Sequence, residues 1–153
     1  MSNRIRLLAH NIRSLWNVGS LFRTSDALGV ELLYLSGYTA TPPKREISKT
    51  AIGAEAWIPW EHITDPAALI KKLKTDGWNI VALEISKDAI DLASFQSPDS
   101  VCLVVGHEVT GIPADLLALC DVTVRIPMHG NKESLNVSVA AGIALNHLRN
   151  SIH

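Results

Sequence analysis

The chain is poor in cysteine and aromatic residues, and it carries no large charge of either sign. Its 153 residues include two cysteines, Cys102 and Cys120, and aromatic side chains make up 5% of the chain. Two isolated cysteines in apolar surroundings predict reduced, buried thiols and exclude a disulfide framework. A formal net charge of -1 excludes a protein that holds nucleic acid through bulk positive charge alone.

Long apolar runs are also missing. Residues 1–6 lack the apolar core of a signal peptide, and no run approaches the roughly 18 residues of a membrane span. We therefore expect a cytoplasmic protein without membrane contact. Hydrophobic residues nevertheless make up 47% of the chain, which is enough for the core of a single domain over residues 1–153.

The apolar pattern predicts strands that alternate with helices. The predicted strands span 5–9, 31–36, 78–85, 101–105 and 122–126, and the predicted helices span 17–28, 113–119 and 136–150, with a further helix starting at Pro66. Asn17 and Asp65 are expected to cap their helices, and Gly29 to end the first one. Residues 37–46 have the composition of a loop. Such alternation predicts an α/β domain with a mostly parallel sheet and helices on both faces.

The first candidate site is residues 17–24, Asn-Val-Gly-Ser-Leu-Phe-Arg-Thr, which follow a strand and open a helix. Ligands of open α/β sheets collect at the carboxyl ends of strands. Arg23 could hold a phosphate or carboxylate there with its planar fork. Taken alone, however, the segment is more typical of an ordinary capped helix with a surface arginine.

The second candidate is residues 104–113, Val-Val-Gly-His-Glu-Val-Thr-Gly-Ile-Pro, in which a buried strand ends at Gly106. A glycine there would let a ligand approach the backbone closely. The alternative is a glycine-rich connection in which Glu108 accepts hydrogen bonds from nearby N–H groups. The segment matches neither a dinucleotide fingerprint nor a phosphate-binding P-loop.

The third candidate is the strand exit Ile-Pro-Met-His-Gly at 126–130, followed by Ser-Leu-Asn-Val-Ser-Val-Ala at 134–140. A helix cap explains one of the polar residues Ser134, Asn136 and Ser138, but not their crowding around one turn. A strand end beside a helix start leaves free backbone groups that can hold a ligand. The six histidines show no spacing of metal ligands.

Together the three segments resemble the signature motifs of one enzyme family. N-x-G-S-x-x-R-T at 17–24, G-x-E-x-x-G at 106–111 and I-P-M followed by S-L-N-V-S-V-A resemble, in order and spacing, the SpoU/TrmH branch of the SPOUT (α/β-knot) RNA 2′-O-ribose methyltransferases. Residues 49–55 resemble the connecting segment of that branch. The resemblance implies an S-adenosylmethionine-dependent enzyme that methylates a ribose 2′-hydroxyl of tRNA or rRNA. It also implies a deep trefoil knot in the C-terminal part, which periodicity alone does not indicate.

The resemblance further implies roles for individual residues. The cofactor would lie in the knot, held mainly by backbone groups at Leu83, Gly106, Ile126, Met128, Leu135 and Asn136. The central catalytic residue would be Arg23, surrounded by Asn17, Glu108, Ser134 and Asn136. A guanidinium stays charged and is a poor base, so we expect Arg23 to stabilise the developing alkoxide and hold the adjacent phosphate.

Family members act as homodimers, which implies that the last helix forms an interface and that Arg23 faces the cofactor of the partner subunit. Four small residues of this helix would allow close packing, either between subunits or within the chain: Ala140, Ala141, Gly142 and Ala144.

RNA contacts are a separate question because we recognise no additional RNA-binding extension at either end. We expect the dimer surface and a basic loop to provide them, or an accessory protein to help. The candidate RNA-binding residues are Arg13, Lys44, Arg45 and Lys49, although charged residues of this kind are also typical of a solvated face.

Two other functions remain open at this stage. The chain could be a non-catalytic SPOUT-fold module that binds RNA or the cofactor without turnover. It could also be a nucleotide-binding α/β protein that uses residues 17–24 to hold phosphate, although the three ordered motifs favour the enzyme.

Overall fold

The computed structural model describes residues 3–151 as an alternation of strands and helices. The strands are β1 (Arg4–His10), β2 (Leu32–Ser36), β3 (Trp60–Ile63), β4 (Asn79–Leu83), β5 (Ile90–Asp91), β6 (Ser100–Val105) and β7 (Val122–Arg125). The α-helices are α1 (Leu15–Leu28), α2 (Arg45–Ala51), α3 (Pro66–Thr75), α4 (Ala114–Leu117) and α5 (Val137–Asn150). Short 3-10 turns occupy Ala54–Ala56 and Leu92–Ser94.

The strands form one sheet of seven strands in the order β3-β2-β1-β6-β4-β7-β5, and every neighbouring pair is parallel. Alternate side chains of β1 enter two different cores. Leu7 packs on the face covered by α1 and α5, and Leu8 packs on the face covered by α3 and α4. The predicted parallel α/β sheet with helices on both faces is therefore confirmed.

The helix caps agree with the sequence patterns in two of three cases. Asp65 accepts a hydrogen bond from the backbone N–H of Ala68 at 3.0 Å and caps α3, and Asn136 caps α5. The prediction that Asn17 caps α1 is wrong. The helix begins at Leu15, and Ser14 is the cap, because its Oγ accepts from the backbone N–H of Asn17 at 3.2 Å. The side chain of Asn17 is therefore available for other contacts.

Several boundaries differ from the predictions. The expected loop at 37–46 ends early, because α2 begins at Arg45, so the basic residues Arg45 and Lys49 lie on a helix and not on a loop. Helix α2 is stabilised by tertiary packing, since Ile47 and Ala51 are buried in the core shared with α1. Strands β3 and β5 were not predicted, and β4 and α4 are shorter than their apolar runs suggested.

Gly19 permits the close contact between α1 and α2. A Cβ on Gly19 would lie 1.9 Å from Thr50 Oγ1 and 2.3 Å from the carbonyl oxygen of Ile47. The backbone atom cannot yield without moving the helix. We expect Gly19→Ala to lower the free energy of unfolding by about 1–3 kcal/mol, measured by urea titration, although alanine is the better helix former.

Gly142→Ala is the matched control. Gly142 lies inside α5, and an added Cβ would meet only Thr24 Cγ2 at an ordinary contact distance of 3.6 Å. This variant should be as stable as the parent chain or slightly more stable. Equal stabilities for the two alanine variants would contradict the packing argument.

Candidate active site

Glu108 is the centre of a hydrogen-bond network at the carboxyl end of the sheet. It follows β6, and its Oε1 accepts from the backbone N–H of Arg13 at 2.9 Å. Its Oε2 accepts from the backbone N–H of Ser14 and from Asn17 Nδ2, both at 2.9 Å. The carboxylate therefore connects the end of β6 to the start of α1.

Asn17 extends the network to the last helix. Its Oδ1 accepts from Asn136 Nδ2 at 3.1 Å. Asn136 Oδ1 in turn accepts from the backbone N–H groups of Ser138 at 2.9 Å and Val139 at 3.3 Å, and from Ser138 Oγ at 2.6 Å. We call the four side chains Glu108, Asn17, Asn136 and Ser138 the amide network; it joins all three segments that the sequence indicated.

Three hydrogen bonds keep Glu108 ionised. Partial burial by itself would raise the pKa of this carboxyl group, but hydrogen bonds from Ser14, Arg13 and Asn17 outweigh that effect. The pKa of Glu108 is therefore below its usual value, because all three donors favour the charged form. A carboxylate that accepts from Asn17 Nδ2 also fixes the orientation of that amide, so Asn17 Oδ1 must face a donor.

A cavity of about 330 Å³ lies beside the network, and we call it the main cavity. Its walls come from the ends of β4, β6 and β7 and from the connection into α5. Of the predicted site residues, the structure brings Leu83, Gly106, Glu108, Ile126, Met128, Ser134 and Leu135 together in its lining. Ser134 has no hydrogen-bond partner among residues 3–151.

A second depression of about 410 Å³, the side cleft, adjoins the main cavity. Arg13, Asn17 and Asn136 line it, so Asn136 belongs to the side cleft rather than to the main cavity. Glu108 and Leu135 line both spaces. The two spaces therefore meet at the carboxylate that holds the amide network.

Arg23 lies apart from both spaces. It is an exposed residue on α1 and is not part of either lining. Within the described part of the chain its guanidinium makes no hydrogen bond or ion pair. Lys44, Arg45 and Lys49 are likewise exposed at α2, away from the two linings, whereas Arg13 borders the side cleft.

Three charged residues that line the main cavity were not predicted from the sequence: Glu84, Arg125 and Glu133. Glu84 Oε2 accepts from the backbone N–H of Ile112 at 2.7 Å. Arg125 Nε donates to Asp91 at 2.7 Å, which ties β7 to β5. The sequence does contain a signal for Glu84. It directly follows the apolar run of β4, much as Glu108 follows β6.

Gly106 has a packing role in addition to the ligand contact that the sequence predicts. A Cβ at this position would lie 2.6 Å from the carbonyl carbon of Gly111 and 2.7 Å from the backbone nitrogen of Ile112. The missing side chain therefore lets the chain fold back on itself in the turn that carries Glu108. Gly106 also lines the main cavity, so a ligand there can approach its backbone as well.

Metal-binding clusters and membrane-spanning helices are both absent among the described residues. Among residues 3–151, no group of three or more histidine, cysteine, aspartate or glutamate side chains could hold a metal ion. No helix in the same range is long and apolar enough to cross a membrane. What the structure does bring together is a cavity, an ionised carboxylate and aligned amides.

A cavity at the carboxyl ends of parallel strands, beside the N-termini of two helices, is where α/β proteins bind ligands. The model of the SpoU rRNA Methylase family matches residues 4–146, and the chain belongs to this family. A tRNA (guanosine(18)-2′-O)-methyltransferase from Aquifex aeolicus is 34% identical over 140 residues, which are 91% of this chain and 65% of the relative.

A second relative and a solved structure give the same family assignment. The 23S rRNA (guanosine-2′-O-)-methyltransferase RlmB of Neisseria meningitidis is 34% identical over 143 residues, 94% of this chain and 57% of the relative. The crystal structure of an AdoMet-bound rRNA methyltransferase from Sinorhizobium meliloti superposes with a TM-score of 0.88 at 26% identity, covering 96% of this chain and 56% of that chain. The chain thus spans less than two thirds of the length of each of these relatives.

Proposed function

We propose that the chain transfers a methyl group from S-adenosylmethionine to a ribose 2′-hydroxyl of RNA. The observation that carries this proposal is the meeting of the main cavity and the side cleft at Glu108. One space can hold a methyl donor and the other an acceptor, so that the reacting atoms approach each other where the two spaces adjoin. The relatives named as tRNA and rRNA 2′-O-methyltransferases support the same reaction.

The main cavity fits the cofactor. A volume of about 330 Å³ lies in the range of about 300–1,000 Å³ that is typical of small-molecule sites. Leu83, Ile126 and Leu135 provide apolar surface, and Glu84 and Glu133 contribute carboxylates that favour a cationic ligand. S-adenosylmethionine, when bound, supplies an electrophilic methyl group on a positively charged sulfur. The relative of known structure with AdoMet bound supports this choice.

The chain's own residues position the acceptor. Glu108 holds Asn17 and the start of α1 in place, and Asn136 fixes the start of α5. Arg13, exposed beside the side cleft, can pair with an RNA phosphate. Arg23 stabilises the negative charge that develops on the 2′-oxygen, because its guanidinium donates hydrogen bonds without giving up its charge.

Arg23 would reach the reacting atoms from a second subunit. In support of a homodimer, Arg23 lies outside the linings of its own chain, and α5 exposes Val139 by 51% and Ile143 by 43%. These two side chains are one helical turn apart and form an apolar ridge. The small residues Ala141 and Ala144 do not contribute, because both are fully buried in the core of the same chain.

The dimer proposal predicts that Ile143→Asp separates the subunits. A carboxylate at the centre of an apolar interface would lose its hydration without gaining a partner. Light scattering should show a monomer at micromolar concentration, and methyl transfer should fall in parallel. Ala68→Asp, on the exposed surface of α3, is the charge-matched control and should remain dimeric. A monomeric parent chain would contradict the shared site.

The proposal extends to the C-terminal topology and to the RNA. The connection into α5 shares one cavity with the loops that follow β4 and β6, and α5 then packs in the core with α1. For this part of the chain we propose the deep trefoil knot that the family resemblance implies. The exposed residues Lys44, Arg45 and Lys49 on or beside α2 would contact RNA phosphates in a cytoplasmic tRNA or rRNA substrate, with an accessory protein where needed.

Two measurements test the proposed function. Calorimetry should show binding of S-adenosylmethionine but not of ATP, which separates the methyl donor from a phosphate-held nucleotide. Transfer of tritiated methyl groups to unmodified bulk RNA should follow. The label should be recovered in alkali-resistant dinucleotides, because a 2′-O-methyl group protects the neighbouring phosphodiester bond. Cofactor binding without any transfer would favour the non-catalytic module, and no binding of S-adenosylmethionine would contradict both.

A further inference from the structure

Tyr38 is a large aromatic side chain that the fold keeps open to solvent near the candidate site. It lies two residues after β2 and is 60% exposed. Its backbone N–H donates to Asn11 Oδ1 at 3.1 Å. Asn11 and Gly37 both have left-handed backbone, with φ of 55° and 64°. A Cβ on Gly37 would lie only 1.8 Å from Asn11 Oδ1, so this turn requires glycine there.

The residue after Tyr38 is also firmly held. Thr39 is 4% exposed, and its Oγ1 accepts from the backbone N–H of Ile12 at 3.0 Å and donates to the carbonyl oxygen of Ala9 at 3.1 Å. The exposed ring is thus carried by a turn that is anchored on both sides to the end of β1. A side chain whose backbone is fixed in this way loses little conformational entropy when it binds a ligand.

His107 lies against Tyr38 and connects it to the site. The two rings meet edge to face, with centroids 6.3 Å apart and planes at 81°. His107 Nδ1 accepts from the backbone N–H groups of Val109 at 2.9 Å and Thr110 at 3.1 Å. Because Nδ1 accepts these two hydrogen bonds, the ring proton lies on Nε2, which is a donor. His107 lines both the main cavity and the side cleft, directly before Glu108.

We infer that Tyr38 and His107 form a nucleobase site for the RNA substrate, an inference that rests on the proposed function. A base stacks on the open face of Tyr38, and His107 Nε2–H donates to an acceptor atom of that base. Unpaired RNA bases are commonly held on aromatic side chains in this way. With a net charge of -1, the chain depends on such local contacts to select its substrate.

Substitutions at Tyr38 separate stacking from simple apolar contact. Methyl transfer to unmodified bulk RNA is measured as a function of RNA concentration for Tyr38→Phe, Tyr38→Leu and Tyr38→Ala. Phenylalanine keeps the aromatic face and should hold KM within about threefold, whereas leucine and alanine should both raise KM on the order of tenfold. The affinity for S-adenosylmethionine, measured by calorimetry, should stay the same in all three variants.

Three results of the Tyr38 substitutions would contradict the nucleobase site. If leucine supports RNA binding as well as phenylalanine does, the side chain provides apolar area and not a stacking face. If alanine leaves KM unchanged, Tyr38 makes no contact with RNA. If the variants alter the oligomeric state and not KM, Tyr38 belongs to a protein interface. Each of these results overturns the inference.

His107→Asn tests the second half of the site. Asparagine Oδ1 can replace Nδ1 as the acceptor for Val109 and Thr110, so the turn is preserved while the ring and its Nε2 donor are lost. KM for RNA should rise severalfold, and by a larger factor than the dissociation constant of S-adenosylmethionine, because His107 also lines the main cavity. An unchanged KM would remove His107 from the inference.

A binding assay keeps the inference testable if methyl transfer itself fails. Fluorescence anisotropy compares labelled oligo(A) and oligo(U) with an abasic ribose-phosphate oligomer of the same length and charge. The parent chain should prefer the oligomers that carry bases, and Tyr38→Ala should abolish that preference. Equal affinity of the parent chain for all three oligomers would overturn the nucleobase site, whatever the catalytic outcome.

Discussion

Replacing Arg23 with alanine should lower the rate constant for methyl transfer by a factor on the order of 10²–10³, while the affinity for S-adenosylmethionine is unchanged. This magnitude is typical for the loss of one donor that stabilises a developing oxyanion. Arg23 is exposed and lies outside the linings of its own cavities, so its removal should not disturb the cofactor site. Single-turnover methyl transfer and calorimetry measure the two effects separately.

Arg23→Lys is the matched variant. It keeps the positive charge but loses the planar, two-pronged donor, so we expect an intermediate rate. A rate equal to that of the parent chain would reduce the role of Arg23 to simple charge. Normal methyl transfer by Arg23→Ala would contradict the assignment altogether.

Mixing subunits tests whether Arg23 acts across the dimer. Arg23→Ala and Glu108→Ala should each be nearly inactive alone. In a co-expressed mixture, the mixed dimer combines an intact Arg23 from one subunit with an intact Glu108 site on the other. Random pairing makes about half of the dimers mixed, and one of the two sites in each mixed dimer is intact. About a quarter of the parent activity should therefore return. No recovery would place Arg23 in the site of its own chain.

Glu108→Ala is the second substitution with a large expected effect. It removes the acceptor for the N–H groups of Arg13 and Ser14 and for the amide of Asn17. Hydrogen bonds to charged acceptors contribute more than neutral ones, but water can replace part of what this half-exposed site loses. We expect a loss of about 1–3 kcal/mol in the free energy of unfolding, measured by urea titration, and a marked fall in methyl transfer.

Glu108→Gln and acid pH give an independent test. Because the folded-state pKa of Glu108 is below its usual value of about 4.5, the carboxylate stabilises the fold above that value. The stabilisation is lost as pH falls through the lower folded-state pKa. The glutamine variant should therefore show a smaller loss of stability below about pH 4.5 than the parent chain. Identical pH dependence would mean that Glu108 adds no such stability.

The parallel sheet was predictable because its central strands are buried on both faces. Residues 101–105 form an uninterrupted apolar run, and β6 lies between β1 and β4 with the side chains of that run fully buried or nearly so. Local signals also identified the cap of α3, where Asp65 precedes Pro66. Such features depend on neighbouring residues alone and can be read directly from the sequence.

The remaining features depend on contacts between distant segments. Asn17 has the composition of a helix cap, but Ser14 takes that role and frees Asn17 for Glu108 and Asn136. The sequence around Gly106 does not show that its missing Cβ makes room for the backbone at Gly111. Helix α2 forms because Ile47 and Ala51 are buried, which no local preference indicates. Motif resemblance, however, indicated several residues that line the main cavity or the side cleft, although Arg23 lies outside both.

The amide network also sets the earliest point during synthesis at which the candidate site can be complete. Asn17 pairs with Glu108 across 91 positions and with Asn136 across 119. A growing chain therefore carries the first part of its site long before the last part exists. No nascent fragment that ends before Asn136 can complete the amide network, however well its central strands have paired. Any methyl transfer that depends on the amide network should thus appear only after residue 136 has been synthesised.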